Sequence, residues 1–249
     1  ADAGRPRPAA GTMPGMTGAG AMPGAILLFA AGFGTRMGDL TRTRPKPLIE
    51  VAGRPLIDHA LALADAAGIA RKVVNAHYRA EQIAAHLAAR PDIAVSLEEP
   101  EILDTGGGLR HALPLLAADP VFTLNTDAVW TGPNPLATLA QGWDAGRMDA
   151  LLLLVPPARA HGHRGAGDFA IAADGALTRG PGPVYTGAQI IAAAALDGLP
   201  DGPVSLNAAW DVLIARGRLF GALHPGGWCD VGHPGGIAEA EAMLAGARA

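Results

Sequence analysis

Residues 25–48, AILLFAAGFGTRMGDLTRTRPKPL, are the stretch of the sequence that says most about the fold. The apolar run at residues 25–31 predicts a buried parallel strand, which ends at two glycines spaced one residue apart. Exposed backbone N–H groups in such a turn can bind phosphate oxygens. Arg36 follows the turn at once, and Lys46 comes later, between two prolines that hold its segment extended. The stretch therefore predicts a strand, a phosphate-binding loop and a cationic arm that returns to the same phosphates.

Two other glycine-rich phosphate loops do not fit this stretch. A P-loop needs G-x-x-x-x-G-K followed by Ser or Thr, and the chain contains no such run. The dinucleotide pattern G-x-G-x-x-G needs a glycine where Met37 stands, and it needs a helix that TRTRPKPL does not predict. The remaining alternative is a glycine turn with a solvated basic loop. Arg36, Lys46 and the flanking prolines favour phosphate binding over that alternative.

The segments AAGFGTRM and RPKPL resemble the signature of the sugar-1-phosphate nucleotidyltransferases. In that family the loop binds a nucleoside triphosphate, the arginine contacts its phosphates, and the lysine contacts the phosphate of the sugar. The resemblance implies that Arg36 and Lys46 are catalytic residues. It also implies that the loop residues bind the nucleotide, namely Ala30, Ala31, Gly32, Phe33 and Gly34. The pair at residues 38–39, Gly-Asp, departs from the Pro-Leu type pair of many relatives, but it lies outside the charged positions.

Composition limits the class of protein. The chain has 249 residues and a net charge of −4, which argues against a nucleic-acid-binding surface. Hydrophobic residues make up 49% of the chain, so a sizeable core is available. Cys229 is the one cysteine, which excludes an internal disulfide and indicates a reducing compartment. No apolar run approaches the roughly 20 residues that a membrane helix needs. We therefore predict a cytoplasmic protein with small-molecule partners, and neither nucleic acid nor membrane.

The chain is predicted to form a flexible tail and one domain. Residues 1–22 consist mainly of Gly, Ala, Pro and Thr and cannot bury a core. The two arginines in this tail precede no apolar segment, so no signal peptide is predicted. Residues 23–249 are predicted to form a single nucleotidyltransferase domain, with a nucleotide-binding part at about 23–155 and a sugar-binding part at about 156–249. The sequence does not predict the oligomeric state.

Strands and helices alternate through the first part of this domain. Strands are predicted at residues 72–77, 93–97, 121–127 and 150–155, and helices at 55–68, 80–89 and 105–116. The alternation predicts an α/β fold with a doubly wound, mixed but mostly parallel, Rossmann-like sheet. The later part predicts a hairpin at residues 168–178, strands at 184–192 and 219–223, and helices at 207–216 and 236–247. The hairpin and late strands are expected to form a small sugar-binding lobe on the same sheet.

Two aspartates are candidate metal ligands. Asp127 ends the strand VFTLNTD, where an open α/β sheet binds its ligands, and Asp230 lies in the glycine-flanked turn GGWCDVG. Taken alone, each aspartate is better explained as a turn or helix-capping residue. NTD and WCDVG resemble the family segments that carry the catalytic Mg²⁺. The resemblance therefore implies a magnesium site at Asp127 and Asp230.

Other segments predict the two substrate sites. DTGGG at residues 104–108 resembles the E-T-G-G-G of the N-acetylmuramate-1-phosphate uridylyltransferases, where this region contacts the base and ribose. Its three glycines permit a close approach of backbone to ligand, and the alternative is an ordinary flexible connection. The nucleotide-binding candidates here are Asn75, Asp104, Thr105 and Gly106. The segments GDF and YTG resemble segments of the same uridylyltransferases and give the sugar-binding candidates Asp168, Thr186 and Gly187. Asn207, at the start of a predicted helix, is the fourth sugar-binding candidate.

Several polar residues are assigned to other roles or left open. Asn207 is alternatively a helix N-cap. Glu98-Glu99 is predicted to be a solvated surface pair, with contact to a ligand as the alternative. His161 and His163 have an H-x-H spacing that could bind a metal ion, but without a nearby cysteine or third histidine they are predicted to lie in a polar loop over the site. A carboxylate on the sugar would need a cation, for which Arg164 and Arg179 are the candidates.

The resemblance implies a reaction of UTP with N-acetylmuramate 1-phosphate in peptidoglycan recycling. The sugar phosphate would attack the α-phosphorus of UTP in line and release pyrophosphate, so catalysis would consist of positioning and charge stabilisation. The nearest alternative is a guanylyltransferase for mannose or heptose 1-phosphate. A nucleotide-sugar sensor without activity and a dinucleotide-dependent oxidoreductase are further alternatives.

Overall fold

The structure, a computed structural model, describes residues 22–247 of the chain. The predicted tail at residues 1–22 therefore lies outside the described residues, apart from Met22. Fourteen strands are present in residues 22–247: β1 (Ala25–Phe29), β2 (Glu50–Val51), β3 (Arg54–Pro55), β4 (Arg71–Ala76), β5 (Ile93–Leu97), β6 (Val121–Asn125), β7 (Ala128–Trp130), β8 (Ala150–Val155), β9 (Ala160–His161), β10 (Phe169–Ile171), β11 (Leu177–Arg179), β12 (Val184–Ile191), β13 (Leu219–Leu223) and β14 (Trp228–Asp230).

Six α-helices lie in the same range: α1 (Leu56–Ala66), α2 (Ala80–Leu87), α3 (Asp104–Leu116), α4 (Pro135–Gly142), α5 (Leu206–Ala215) and α6 (Pro234–Gly246). Short 3₁₀ helices occupy Thr35–Thr41, Lys46–Leu48, Pro157–Arg159 and Ala193–Leu196. Among the described residues, no helix combines the length and the apolar character that crossing a membrane requires.

Seven strands form the main sheet, in the order β13-β8-β12-β6-β1-β4-β5. The pairs β1–β4, β1–β6, β4–β5 and β8–β13 are parallel, whereas β12 runs antiparallel to both of its neighbours. The predicted mixed, mostly parallel α/β sheet is therefore confirmed. Strand β1 lies near its centre and is buried on both faces: Ile26 and Leu28 pack into one core, and Leu27 packs into the other. This burial explains why β1 is a continuous apolar run.

The later strands are distributed over three sheets. Strand β12 inserts into the main sheet between β6 and β8, and β13 forms its edge. The hairpin β10–β11 is a separate two-stranded sheet, while β7, β14 and β9 form a third small sheet. The division of the chain into nucleotide-binding and sugar-binding parts stays a prediction.

The sequence-based prediction lacks helix α4 and five short strands, β2, β3, β7, β9 and β14. Helix α4 begins after Asn134, whose side chain accepts a hydrogen bond from the backbone N–H of Leu136 at 2.9 Å. An Asn N-cap followed by Pro at the first helical position is a typical helix start, so the signal was present. Strand β7 follows the bend at Asp127, which is why the predicted strand 121–127 stops at Asn125.

Candidate active site

A cleft of about 310 Å³ lies beyond the carboxyl ends of β1, β4 and β6, where α/β sheets bind their ligands. Three groups of residues line it. The phosphate loop contributes Ala30, Ala31, Gly32, Gly34, Thr35 and Arg36; the arm contributes Lys46 and Pro47; other strands and loops contribute Phe29, Asn75, Glu98, Ile102, Asp104, Thr105, Asn125, Thr126, Asp127 and Gly232. The structure thus brings most of the predicted nucleotide-binding residues together with Arg36, Lys46 and Asp127.

The phosphate loop is shaped by contacts at both of its ends. At the start, the backbone N–H of Ala30 donates to the Asn75 side-chain oxygen at 2.7 Å. At the end, Gly34 has a φ of 63°, and a Cβ built on it would lie 2.9 Å from both Lys46 Cβ and Thr41 Cγ2. Only glycine therefore lets the arm pack directly against the loop.

The segment between the phosphate loop and Lys46 is held by hydrogen bonds from Tyr78 and from Gln82 of α2. A 3₁₀ helix at Thr35–Thr41 directly follows the glycines and is broken at Gly38, so it is not the α-helix of the dinucleotide pattern. The Tyr78 hydroxyl donates to the carbonyl of Thr41 at 2.7 Å, and the Gln82 side chain donates to the carbonyl of Thr43 at 3.0 Å. These bonds hold the arm in the position from which Lys46 enters the cleft.

Four charged groups meet at one side of the cleft. Lys46 Nζ lies 2.7 Å from Asp127 Oδ2, and the Lys46 side chain is only 10% exposed. The backbone N–H of Val231 donates to the carbonyl of Asp127 at 2.9 Å, which brings the end of β14, and with it Asp230, beside Asp127. Around Gly232, a Cβ would lie 2.6 Å from Asp230 Oδ2 and 3.3 Å from Nη1 of Arg36.

The electrostatics of this group favour a bound cation. Burial raises the pKa of Asp230, the negative charge of Asp127 raises it further, and Lys46 and Arg36 partly oppose this change. Two carboxylates that repel one another in a partly buried site are each stabilised by positive charge placed between them.

A second cavity of about 290 Å³ adjoins the cleft. The two share Phe29, Asp104, Thr105 and Asn125. The remaining lining residues are Asp168, Phe169, Arg179, Tyr185, Ser205, Leu206, Asn207 and Trp210. Asp168 and Asn207, both predicted to bind the sugar, are thus brought together in one cavity next to the predicted nucleotide site.

The sequence matches the model of the MobA-like NTP transferase domain over residues 26–224. The chain belongs to this family. It is 42% identical over 236 residues to the N-acetylmuramate alpha-1-phosphate uridylyltransferase of Caulobacter vibrioides, which covers 90% of this chain and 98% of that protein. The protein of the same name from Neisseria meningitidis is 35% identical over 232 residues, or 87% of this chain and 96% of its own length.

Among solved structures, HddC from Yersinia pseudotuberculosis has the same fold, with a TM-score of 0.71 at 20% identity. The match covers 88% of this chain and 99% of that one. The resemblance to nucleotidyltransferases read from the sequence is therefore confirmed, and this MobA-like NTP transferase is an enzyme.

The charged group of this MobA-like NTP transferase fits Mg²⁺. Asp127 and Asp230 offer carboxylate oxygens, the ligands that Mg²⁺ prefers. Within residues 22–247, no group of three or more His, Cys, Asp or Glu side chains is arranged to hold a metal ion. Two carboxylates are sufficient when substrate phosphates supply further oxygens, as is common at magnesium sites.

Glu98 is the clearest correction to the sequence analysis. The predicted surface pair is wrong, because Glu98 is fully buried while Glu99 is exposed. The Glu98 carboxylate accepts hydrogen bonds from the Asn75 side-chain amide at 2.7 Å and from the backbone N–H of Leu103 at 2.8 Å. Since the Asn75 oxygen in turn accepts from Ala30, Glu98 orients the amide that holds the start of the phosphate loop.

The glycines of DTGGG approach the protein itself. The N–H groups of Gly106 and Gly107 both donate to the carbonyl of Val204, at 2.8 and 3.0 Å. A Cβ on Gly108 would lie 2.5 Å from Glu98 Oε1. These glycines therefore allow α3 to pack on its neighbours, while the cleft is lined by Asp104 and Thr105 rather than by Gly106.

Besides Gly106, four predicted site residues line neither cavity: Phe33, Thr186, Gly187 and Asp230. Thr186 is buried and donates its hydroxyl to the carbonyl of Leu153 at 2.7 Å. Gly187, with a φ of 82°, packs against Asn125, and a Cβ there would lie 2.6 Å from the Asn125 side chain. Phe33 is 45% exposed and meets the His77 ring edge-on at 5.5 Å. Gly187 thus packs against the cleft residue Asn125, Thr186 joins β12 to β8, and Phe33 contacts the His77 ring.

Sequence reasoning missed Asn125, which lines both cavities. Its position at the carboxyl end of the central strand β6, two residues before Asp127, was the available signal. The alternative for Asn207 is also resolved: the N-cap of α5 is Ser205, whose hydroxyl accepts from the N–H of Asn207.

Proposed function

We propose that this enzyme transfers the uridylyl group of UTP to N-acetylmuramate 1-phosphate, giving UDP-N-acetylmuramate and pyrophosphate with Mg²⁺ as cofactor. The observation that carries the proposal is the adjacency of two cavities, one with the phosphate loop and charged group and the other lined by sugar-compatible polar and aromatic side chains. The choice of uridine and of the sugar is supported by the two relatives that match nearly the whole chain.

The residues of the cleft can perform the reaction without a covalent intermediate. An oxygen of the sugar phosphate attacks the α-phosphorus of UTP, and the bond to pyrophosphate breaks on the opposite side. The sugar phosphate is already an anion, so no general base is needed. Arg36 and the loop amides would hold the triphosphate, and Lys46 would align the attacking phosphate. Mg²⁺ held by Asp127 and Asp230 would supply charge neutralisation to the phosphates.

The location in the cell and the pathway are part of the same proposal. A sugar 1-phosphate and UTP are soluble anions, and one buried cysteine is compatible with a reducing compartment. We infer that the reaction is a cytoplasmic step that returns a cell-wall sugar to peptidoglycan synthesis.

The test is a panel of substrate pairs scored by pyrophosphate release. UTP, GTP, CTP and dTTP are each combined with the 1-phosphates of N-acetylmuramate, N-acetylglucosamine, glucose and mannose. The proposal predicts highest turnover for UTP with N-acetylmuramate 1-phosphate. Preference for GTP with mannose 1-phosphate would favour the guanylyltransferase alternative, and nucleotide binding without pyrophosphate release from any pair would favour a sensor.

A further inference from the structure

The second cavity contains a single cation among its described lining residues, Arg179 at the end of β11. The other side chains with polar groups that line it are neutral or anionic: Asp104, Thr105, Asn125, Asp168, Tyr185, Ser205, Asn207 and Trp210. The hydroxyl and amide groups of an uncharged sugar can form hydrogen bonds with these carboxylates, amides and hydroxyls. An arginine in the same wall is the group expected where the ligand carries a negative charge beyond its phosphate.

The guanidinium of Arg179 is held in a fixed orientation. It lies over the Phe169 ring, 4.8 Å from its centroid, and 5.6 Å from the centroid of Trp210. Its Nε donates to Asp211 Oδ1 at 2.9 Å, and its Nη2 donates to the carbonyl of Asn207 at 3.2 Å. Contact with two aromatic rings and two hydrogen bonds restrict the orientation of the guanidinium before any ligand binds.

Part of the fork remains available to a ligand. Nη1, which carries two N–H groups, makes no hydrogen bond to any residue in the range 22–247. The Arg179 side chain is 38% exposed and that of Asp211 is 63% exposed, so this ion pair is open to water and weak. A second carboxylate can therefore bind the free edge of Arg179 at little cost.

The aromatic floor beneath Arg179 is rigid because a buried polar network fixes it. The Trp210 ring N–H donates to the Gln189 side-chain oxygen at 3.0 Å, and the Gln189 amide donates to the Thr123 hydroxyl at 3.1 Å. Gln189 and Thr123 are fully buried, and Tyr185 meets the edge of Trp210 at 4.8 Å. A rigid floor favours discrimination, since a misplaced ligand cannot be accommodated by repacking.

We propose that Arg179 is the specificity-determining residue of the sugar site and that it binds the carboxylate of an acidic sugar substituent, the lactyl group of N-acetylmuramate 1-phosphate. This inference rests on the proposed function. Of the two arginines that the sequence leaves as candidates, Arg164 is exposed and lines neither cavity. In the analogue N-acetylglucosamine 1-phosphate the sugar ring carries no carboxylate, so Arg179 has no charged group to bind there.

The test measures kcat and KM with UTP for N-acetylmuramate 1-phosphate and for N-acetylglucosamine 1-phosphate. In Arg179→Gln, the kcat/KM ratio of the acidic to the neutral sugar is expected to fall roughly 10- to 100-fold, as for loss of a charge-assisted hydrogen-bonded pair. The loss should appear in KM for the acidic sugar. Arg179→Lys keeps the charge without the fork and should give an intermediate ratio.

Two control variants separate this effect from general damage. Arg164→Gln tests the competing candidate, and Arg218→Gln removes an arginine whose pair with Asp149, at 2.8 Å, has similar geometry outside both cavities. Neither should change the ratio. A fall of the ratio in Arg164→Gln, or equal losses for both sugars in Arg179→Gln, would overturn the assignment of Arg179.

The outcomes also distinguish this inference from the proposed function. If the wild-type enzyme shows no preference for N-acetylmuramate 1-phosphate, the proposed function fails and the assignment fails with it. If the preference exists and Arg179→Gln retains it, the function stands and the role of Arg179 is refuted.

Discussion

The ion pair between Lys46 and Asp127 predicts how the free enzyme binds divalent cations. Lys46 Nζ lies 2.7 Å from Asp127 Oδ2, where it occupies an oxygen that a bound Mg²⁺ would use. Replacing Lys46 with Met preserves most of the side-chain volume and removes the charge. In the absence of substrates, the Lys46→Met enzyme is therefore expected to bind a divalent cation more tightly than the wild type.

The distance sets the size of the effect. For two unit charges at this separation, Coulomb's law gives about 1.5 kcal/mol at the dielectric constant of water and about 6 kcal/mol at an effective value of about 20. The Asp127 side chain is 29% exposed, so the lower figure is the safer one. It corresponds to an increase in cation affinity of about tenfold.

The assay is Mn²⁺ binding to the substrate-free enzyme, measured by calorimetry or by the resonance of free Mn²⁺. Asp127→Asn should bind more weakly than the wild type. Lys72→Met is the control, since Lys72 is similarly buried and is also paired, to Asp65 at 3.0 Å and Asp92 at 3.1 Å, outside the cleft. Unchanged or weaker Mn²⁺ binding in Lys46→Met would show that Lys46 does not compete with a cation for Asp127.

Three further predictions concern the site and the stability of the fold. Asp127→Asn and Asp230→Asn should each abolish most turnover and leave the circular dichroism spectrum unchanged; wild-type rates in either variant, or turnover in excess EDTA, would contradict a metal role. Glu98→Ala leaves the buried amide of Asn75 and the half-buried N–H of Leu103 without their acceptor and should lower the free energy of unfolding in urea by about 1–3 kcal/mol, against less than about 0.5 kcal/mol for the exposed Glu99→Ala. Hydrogen bonds from Arg90, and then from Lys72, lower the pKa of Asp92 in the folded protein. The ionised carboxylate of Asp92 therefore contributes fully to stability above its unfolded-state pKa near 3.8, and this contribution is lost as the pH falls below that pKa. The difference in melting temperature between wild type and Asp92→Asn should therefore shrink from pH 7 to pH 3, and a difference that grows on acidification would contradict this.

The architecture was predictable from local patterns. Strands 93–97, 150–155 and 219–223 have the predicted boundaries, because each is a short apolar or alternating run bounded by turn residues. The position of β12 inside the main sheet was not predictable. The sequence of β12 is compatible with an edge position and with a position between two strands. Which of the two it takes depends on how distant segments of the chain pack.

The candidate site was predictable in its residues but less so in their roles. Arg36, Lys46 and Asp127 line one cleft, although 81 residues separate Lys46 from Asp127. The resemblance to a family assigned these three residues to one active site from the sequence alone. Glu98 was misassigned because its burial depends on glycines in α3 that admit its carboxylate. A glycine run has the same appearance in sequence whether it approaches a ligand or the protein's own backbone.

Following the α-phosphate of UTP tests most directly whether the enzyme transfers a uridylyl group to the sugar phosphate. The enzyme is incubated with UTP labelled at the α-phosphate, N-acetylmuramate 1-phosphate and Mg²⁺, and the products are separated and identified by mass spectrometry. We expect the label in UDP-N-acetylmuramate, with unlabelled pyrophosphate formed in equal amount. Label found only in UTP or UMP, or a nucleotide sugar formed with GTP and not with UTP, would contradict it.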